Sequence, residues 1–526
     1  MLEIAVVGGG LTGLGLANLL RTEAKDYRLF EARSRLGGRI YTIEEPSGLA
    51  LDLGPTWFWP EENPLLAGLV RALGLESFEQ YDQGQFVQAS QAGVPRRMPG
   101  LGWHAGAYRI VGGVGTLVAA LAARLPAERI RLRHELVAIT RHTEHVELTL
   151  RSEGARLTVR ARAVVLAIPP RVVEERVSFA PPLAPALKSA LRETPTWMAP
   201  HAKALVPFTE PFWRRTGASG SAQAAHPGAV LAEVFDACDA SGRAALGGFF
   251  ALGEHERRSR DELPRLVTHH LAALLGSPAV GGGPVHIQDW ASEPFTATAL
   301  DLASTPPAPL PPNPLLAGPH WDGRLFFGAA ETGSQHPGHL EGALESAVHL
   351  SELVTRALVE ASAAGESSVR AEAAWLEGFR NALKNRRARA LFLYRDFIQD
   401  ALSRQDFEDI TRRAVLGAAA TVYRGALADL AANVPGADTH VPSLAEQADA
   451  VLAPLAGFAE ELLVAAIRFN RASCAMQNFP HEARPDTAYA QAIARDLQSI
   501  VDGFRTAVEC ALDARPSDGR KETAGA

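Results

Sequence analysis

The chain has 526 residues and a formal net charge of −7 with a pI near 6.2, so it is long enough for two or three cores and lacks the basic excess of a nucleic-acid partner. Its three cysteines, Cys238, Cys474 and Cys510, are widely spaced, which provides neither a disulfide framework nor a cysteine metal site and makes the cytoplasm the expected compartment. No apolar run spans a bilayer and no basic leader opens the chain, so no transmembrane segment is expected.

The first element is LEIAVVGGGLTGLGLANLL: an apolar strand, then Gly8, Gly10 and Gly13 in G-x-G-x-x-G spacing, then a helix beginning at Leu11 and Thr12. In such a unit the first glycine permits the turn, the second lets the backbone approach a pyrophosphate, and the third lets helix and strand pack closely. The helix start offers free N–H groups and a partial positive charge to the phosphates. YRLFEAR follows as a second strand, and its Glu31, beside Ala32, is placed to accept hydrogen bonds from a ribose diol. The glycines alone also suit a ligand-free turn; strand, helix and terminal acid in register point to a dinucleotide.

Next come EARSRLGGRIYT, with Arg33, Gly38 and Arg39, and LDLGPTWFWP, with Gly54, Pro55, Thr56, Trp57 and Trp59. Together with the glycine turn, these runs resemble the flavin-dependent amine oxidase family, the monoamine oxidase-like FAD flavoproteins. The resemblance implies an α/β chain, α+β overall: a Rossmann-like FAD-binding domain, an interleaved mixed-sheet substrate domain and, here, a C-terminal α-helical domain. It implies that Arg39 binds the FAD pyrophosphate and that Leu53 to Trp57 passes the flavin ring. On this pattern 1–82, 105–192 and 293–360 form the FAD-binding domain, 83–104 and 193–292 the substrate domain, and 369–515 the helical domain, with a disordered tail over 516–526.

Further motifs follow in order. YRIVGGVG, around Gly112-Gly113, resembles the loop beneath the FAD, and RIRLRHELVAIT the strand whose backbone near Leu136 touches adenine; AVVLAIPP also fits the pattern. In HAKALVPFTEPFW, which alternates as a strand, Lys203 stands seven residues before Glu210, as does the family's flavin lysine. An amine there stabilises charge as oxygen is reduced and positions water; by periodicity alone it would be a surface strand lysine. Trp290 resembles the tryptophan near the flavin's dimethylbenzene edge. Some members carry a flavin-linked cysteine nine residues later, where this chain has Ala299, so FAD is expected to be non-covalent.

The family's second FAD signature is matched by GRLFFGAAETGSQHPGHLEGALESA, with Gly328, Glu331, His339 and Leu340. The resemblance makes Glu331 a cofactor contact and aims the helix start at His339-Leu340 toward the flavin pyrimidine. Leu300 and His339 occupy the positions of the two tyrosines that cage the substrate in monoamine oxidases, so the cage is absent. His339 is thereby a candidate catalytic base or substrate contact, as well as a plain helix cap; Trp57, Trp59 and Leu300 are the other substrate candidates. H-x-x-H at His336 and His339 lacks a third ligand, so no metal is expected.

STPPAPLPPNP, Ser304 to Pro314, is a proline-rich connector and EASAAGESS, Glu360 to Ser368, a polar linker. Beyond it Trp375, Phe379, Leu383, Leu391, Tyr394, Ile398 and Leu402 recur at helical spacing, KNRRAR reads as a solvated face, and Ser443 to Glu446 as a capping box before a helix kinked at Pro454 and Gly457. Only Gln83 to Ala107 stands where larger amine oxidases insert a helical chamber wall, so the helical domain is expected to cover the substrate side; a separate bundle serving a homo-oligomer or another partner is the alternative. The implied activity is transfer of a hydride equivalent from an amine to FAD with oxygen as acceptor, the alternatives being a desaturase on the same fold and a flavin-binding regulatory protein without turnover.

Overall fold

In the computed structural model, which describes residues 1–100, 104–258, 261–303, 309–363, 368–404, 408–433, 449, 452–472, 476, 479–483 and 485–513, the opening apolar run forms β1 (Leu2–Val7). The glycine turn leads to α1 (Leu11–Thr22) and β2 (Tyr27–Phe30); a small hairpin, β3 (Thr42–Glu44) and β4 (Ala50–Asp52), precedes α2 (Pro64–Ala72). Four short strands, β5 (Ser77–Glu79), β6 (Gln85–Ala89), β7 (Pro95–Met98) and β8 (Tyr108–Ile110), lead to α3 (Gly115–Ala123) and β9 (Ile130–Arg131). A meander of β10 (Glu135–Arg141), β11 (Val146–Ser152) and β12 (Ala155–Leu166) is followed by α4 (Pro170–Arg176), β13 (Ser178–Ala180) and α5 (Pro185–Glu193). Then come β14 (Ala202–Phe208), α6 (Phe212–Arg215), β15 (Ala218–Ala224), β16 (Leu231–Asp236), β17 (Ala244–Phe250), α7 (Leu263–Leu275) and β18 (His286–Asp289). The last elements of this part are α8 (Ala299–Ala303), β19 (Leu325–Phe327) and α9 (Leu340–Ala363).

The first sheet has the order β13-β10-β11-β12-β1-β2-β9, with β19 beside β12. β1 runs parallel to both β2 and β12, and as a parallel strand covered on both faces it is apolar throughout. Ile4 and Val6 pack on one face with Leu14, Leu16 and Leu20 of α1, while Ala5 and Val7 join Phe30 and Leu166 on the other.

The second sheet has the order β18-β14-β17-β16-β15-β6-β7. Residues 83–107, where no helical wall was expected, supply the β6–β7 hairpin at its edge. Alternation sorts its side chains: Ala204, Val206, Val234 and Leu246 pack with Val267 and Leu271 of α7, whereas Leu205 and Phe235 pack with Leu51 and Leu53 on the opposite face. Lys203, two residues from Leu205, belongs to that opposite face.

The chain divides into two units, Met1–Ser362 and Ala363–Ala526. The linker expected from Glu360 is still helix as far as Ala363. The second unit contains α10 (Ser368–Ala388), α11 (Ala390–Ser403), α12 (Ile410–Asn433), α13 (Phe458–Ala472) and α14 (Thr487–Asp513). Phe379, Leu383, Tyr394 and Ile398 enter one core with Val415, Ala418, Phe458, Ile493 and Leu497. Within it Tyr394 donates to Asn470 Oδ1 at 2.7 Å, and Asn470 Nδ2 donates to Thr411 Oγ1 at 2.7 Å and Glu482 O at 2.9 Å. Every polar atom of that buried amide thus has a partner, the condition under which it fixes helix register without a desolvation penalty.

Two expectations for this unit are corrected. KNRRAR is no solvated face: Arg386 grips Asp429 through Nε and Nη2 at 2.7 and 2.8 Å, Arg387 donates to Pro454 O and Ala456 O, and burial pushes the Arg389 guanidinium down. Pro454 and Gly457 do not kink a helix; a single 3₁₀ turn over Ala453–Leu455 and a positive φ of 70° at Gly457 precede the start of α13. The side chain of Trp375, residues 304–308 of the proline-rich connector, the Ser443–Glu446 capping sequence and the tail over 516–526 lie outside the described residues. Among the described residues no helix is long and apolar enough to cross a membrane.

Candidate active site

The three glycines of the first turn differ in what surrounds them. A Cβ on Gly8 would lie 2.3 Å from Ala167 O and one on Gly13 1.9 Å from Gly8 O, whereas at Gly10 nothing lies within 4 Å. The outer two are demanded by the protein's own packing; the middle one faces a cradle that fits the close approach of a phosphate. No side chain caps α1, whose first residues Leu11 and Thr12 are buried, so its N-terminal dipole is available. Glu31, also buried, accepts from Gly9 N at 2.6 Å and Arg33 N at 2.8 Å, bracing the turn next to half-buried Ala32. Gly38 closes over Gly10, with an added Cβ 3.3 Å from Gly10 Cα. Glu31 O accepts from His134 N at 2.8 Å, which brings the chain toward Leu136 at the start of β10. These residues therefore gather at one end of the first sheet.

A second group forms around an ion pair. Arg39 forks onto Glu331 at 2.6 and 3.0 Å, and the peptide of Trp197 seals the pair: its N–H donates to Glu331 Oε1 and its carbonyl accepts from Arg39 Nη1, both at 3.1 Å. Such a two-pronged pair fixes the plane of the guanidinium. Glu331 and Trp197 line a cleft together with Thr194, Leu310, Pro337 and Gly338. Gly328 N donates to Leu166 O at 2.9 Å and so ties the end of β19 to β12. Arg33 points elsewhere, to Glu293 Oε2 at 3.0 Å and Thr296 Oγ1 at 2.9 Å. His339 sets Nδ1 3.0 Å from Pro337 O and its ring 6.1 Å from that of Trp197; the residue is exposed, yet desolvation of the ring by its neighbours lowers its pKa. Its neighbour in the H-x-x-H, His336, pairs with Glu345 Oε1 at 2.9 Å. Leu340 opens α9, and the acid in that first turn, Glu341, points away to accept from Leu65 N and Leu66 N at 2.8 and 2.9 Å.

The third group is built on Lys203. Its side chain is 2 % exposed, and Nζ donates to Gly54 O at 2.9 Å and to Thr56 Oγ1. The rings of Phe235, Phe249 and Trp57 stand 5.1, 5.4 and 5.6 Å from that nitrogen. Burial pushes the ammonium down to about 7; Asp52 and Glu233 oppose the shift and Arg109 adds to it. Asp52 is itself buried and its carboxyl is pushed up by desolvation, against hydrogen bonds from Thr42 and Val114 N and the charges of Arg109 and Lys203. Trp290 Nε1 donates to Leu53 O at 3.2 Å, so the segment carrying Gly54, Pro55, Thr56 and Trp57 is held from both sides.

Of the remaining candidates, Trp59 turns to Ala105 O at 3.1 Å and Leu300 is half-buried on α8. Four further features have no local motif. Gln80 accepts from Trp57 Nε1 at 2.8 Å; the His104 ring lies tilted by 33° against Trp57 with the centroids 4.5 Å apart; Arg109 is buried near Asp52; and Asp301, fixed by Arg171 at 2.8 Å and Thr196 N at 3.0 Å, holds the chain just before Trp197. All are long-range pairings.

The chain is similar in sequence and fold to known proteins. The family model for flavin containing amine oxidoreductase covers residues 87–355, and one for an NAD(P)-binding Rossmann-like domain covers residues 6–73. An amine oxidase [flavin-containing] of Danio rerio is 23% identical over 460 residues, 68% of this chain and 86% of that one. A putrescine oxidase of Kocuria rosea is 35% identical over 109 residues, 21% of this chain and 22% of that one. Among solved structures, wild-type putrescine oxidase bound to putrescine superposes with a TM-score of 0.55 at 20% identity, covering 67% of this chain and 98% of that one. Cyclohexylamine oxidase from Brevibacterium oxydans gives 0.56 at 17% identity, covering 68% and 99%. The resemblance read from the motifs is thus borne out, and with the family model spanning half of its residues this chain belongs to the flavin containing amine oxidoreductases, as an FAD-dependent oxidoreductase acting on amines.

Proposed function

We propose that the protein oxidises an amine at its α C–H, with FAD bound non-covalently and oxygen as electron acceptor. FAD, when bound, would supply the redox chemistry, namely two-electron acceptance from the amine's α C–H and reduction of oxygen to hydrogen peroxide, leaving an imine for water to hydrolyse to a carbonyl compound and ammonia or an amine. The glycine turn, with Glu31, Gly38 and Leu136, would hold the adenosine and phosphate end; Arg39, oriented by Glu331, would neutralise pyrophosphate charge, and the amides at His339-Leu340 would face the ring's acceptor edge.

The observation that carries this reading is Lys203. A lysine buried so fully, bound to Gly54 O and Thr56 Oγ1 and enclosed by three rings, keeps a proton that is easily lost at a fixed point beside the aromatic segment. Structural lysines are seldom buried in this way. The deciding experiment is anaerobic titration of the yellow protein with amines, amino acids and polyamines. Bleaching by amines is expected; bleaching by non-amine reductants alone would end the proposal. Acid precipitation is a second check: with Ala299 at the attachment position, all flavin colour should appear in the supernatant, and colour in the pellet would refute non-covalent binding.

A further inference from the structure

The chain carries H-x-x-H twice. At His336 and His339 the pattern lies on the approach to α9, where His336 is turned to Glu345. At His142 and His145 it spans the turn between β10 and β11, and there the strand register brings a third group to it. His142 N donates to His145 O at 2.9 Å, which continues the ladder one step past the Arg141–Val146 pair and sets the two imidazoles opposite each other. Paired residues share a face, and Glu147 follows two positions along β11 on the same side. Val146 and Leu148 point the other way, into the core.

The rings of His142 and His145 lie face to face, with centroids 4.4 Å apart and planes 9° from parallel. One ligand atom from each histidine and one carboxylate oxygen of Glu147 lie within 4.8 Å of one another; His142 is exposed and the other two are half-buried. Tetrahedral zinc sets its nitrogen and oxygen ligands about 3.3 Å apart, a contraction that side-chain rotation supplies without any change of register. The surroundings hold the cluster in shape. Arg160, opposite Glu147 on β12, donates through Nε to Glu147 Oε2 at 3.1 Å, and Arg324 Nη2 ties the turn through Thr143 O at 2.6 Å. A ligating carboxylate is commonly oriented by just such an outer partner.

We propose that His142, His145 and Glu147 bind a divalent transition-metal ion, with water completing its coordination. Two imidazoles and a carboxylate, with no thiolate, suit zinc, nickel or copper, whereas magnesium and calcium take all-oxygen sites. Six residues of strand separate His142 from Leu136, roughly 20 Å, so the ion stands apart from the adenosine end of the flavin and takes no part in amine oxidation. It acts as a clasp. It fastens β10 to β11 at their turn and, through Arg324, steadies the entry into β19.

The test is equilibrium dialysis against zinc of the untagged, FAD-loaded protein, first stripped with EDTA, in wild type, His142→Ala, His145→Ala and Glu147→Gln. Loss of a merely supporting partner costs about 10–100-fold in metal affinity, so each histidine variant should bind the ion at least about tenfold more weakly than wild type, and Glu147→Gln should move in the same direction. Zinc should raise the melting temperature of the wild type and not of the histidine variants, and magnesium should raise neither. Because His142 is exposed, His142→Ala should melt as the wild type does without zinc, so that lost binding reports on the site and not on the fold. Absence of zinc binding by the wild type, or an affinity unchanged in both histidine variants, overturns the proposal and leaves the amine oxidase reading untouched.

Discussion

Replacing Lys203 with Met is expected to slow oxygen consumption by roughly 10²–10³-fold, the usual effect of removing one preorganised charge or donor from a site. Methionine fills nearly the same volume within the rings of Trp57, Phe235 and Phe249, so the FAD content should change little. The pH dependence gives the sharper readout. With a pKa lowered to about 7, Nζ is protonated below that pH and neutral above it. If the positive charge favours oxygen reduction, the wild-type rate with oxygen should fall as pH rises through about 7, and the Lys203→Met profile should be flat there. Stopped-flow reoxidation across pH measures both; identical profiles would remove Lys203 from the oxygen step.

The second large effect is expected at the glycine turn, where two substitutions of equal size should part company. Gly10→Ala adds a methyl group to a place with no atom within 4 Å, at a backbone φ of −76° that any residue adopts. The apoprotein should melt as the wild type does, while FAD affinity drops by at least about tenfold because the added methyl occupies the phosphate's approach. Gly13→Ala drives a methyl to 1.9 Å from Gly8 O, so α1 must shift off β1 and the apoprotein itself should lose about 1–3 kcal/mol. Thermal melts of the apo forms and flavin fluorescence titrations separate the cases. A Gly10→Ala protein that binds FAD normally would show that the open cradle is not the phosphate site.

What local sequence reveals here follows from range. The glycine turn, Glu31 and the strand carrying Lys203 are legible because each depends on spacing within a few residues, and so are the helical stripes of the second unit. His104, Gln80 and Glu233 are not, because their meaning comes from which strand lies beside which. Nothing in VLAEVFDA states that Glu233 stands opposite Phe249; that follows from the β16–β17 register, which slips between Leu231 and Glu233. The roles of Arg386 and Arg387 in KNRRAR are hidden for the same reason, since their partners Asp429 and Glu461 lie tens of residues away. Helical periodicity reports which residues are apolar and gives no account of charges satisfied across a bundle.

Strand β7, PRRM, is exposed along its whole length and forms the outer edge of the second sheet. An edge strand is normally a template on which another chain can build, but this one opens with a proline that has no N–H to offer and carries two adjacent cations. Arg97 is further tethered to Thr216 O at 2.6 Å, which holds the rim in place. This edge of the sheet is thus a poor template for aggregation or strand exchange.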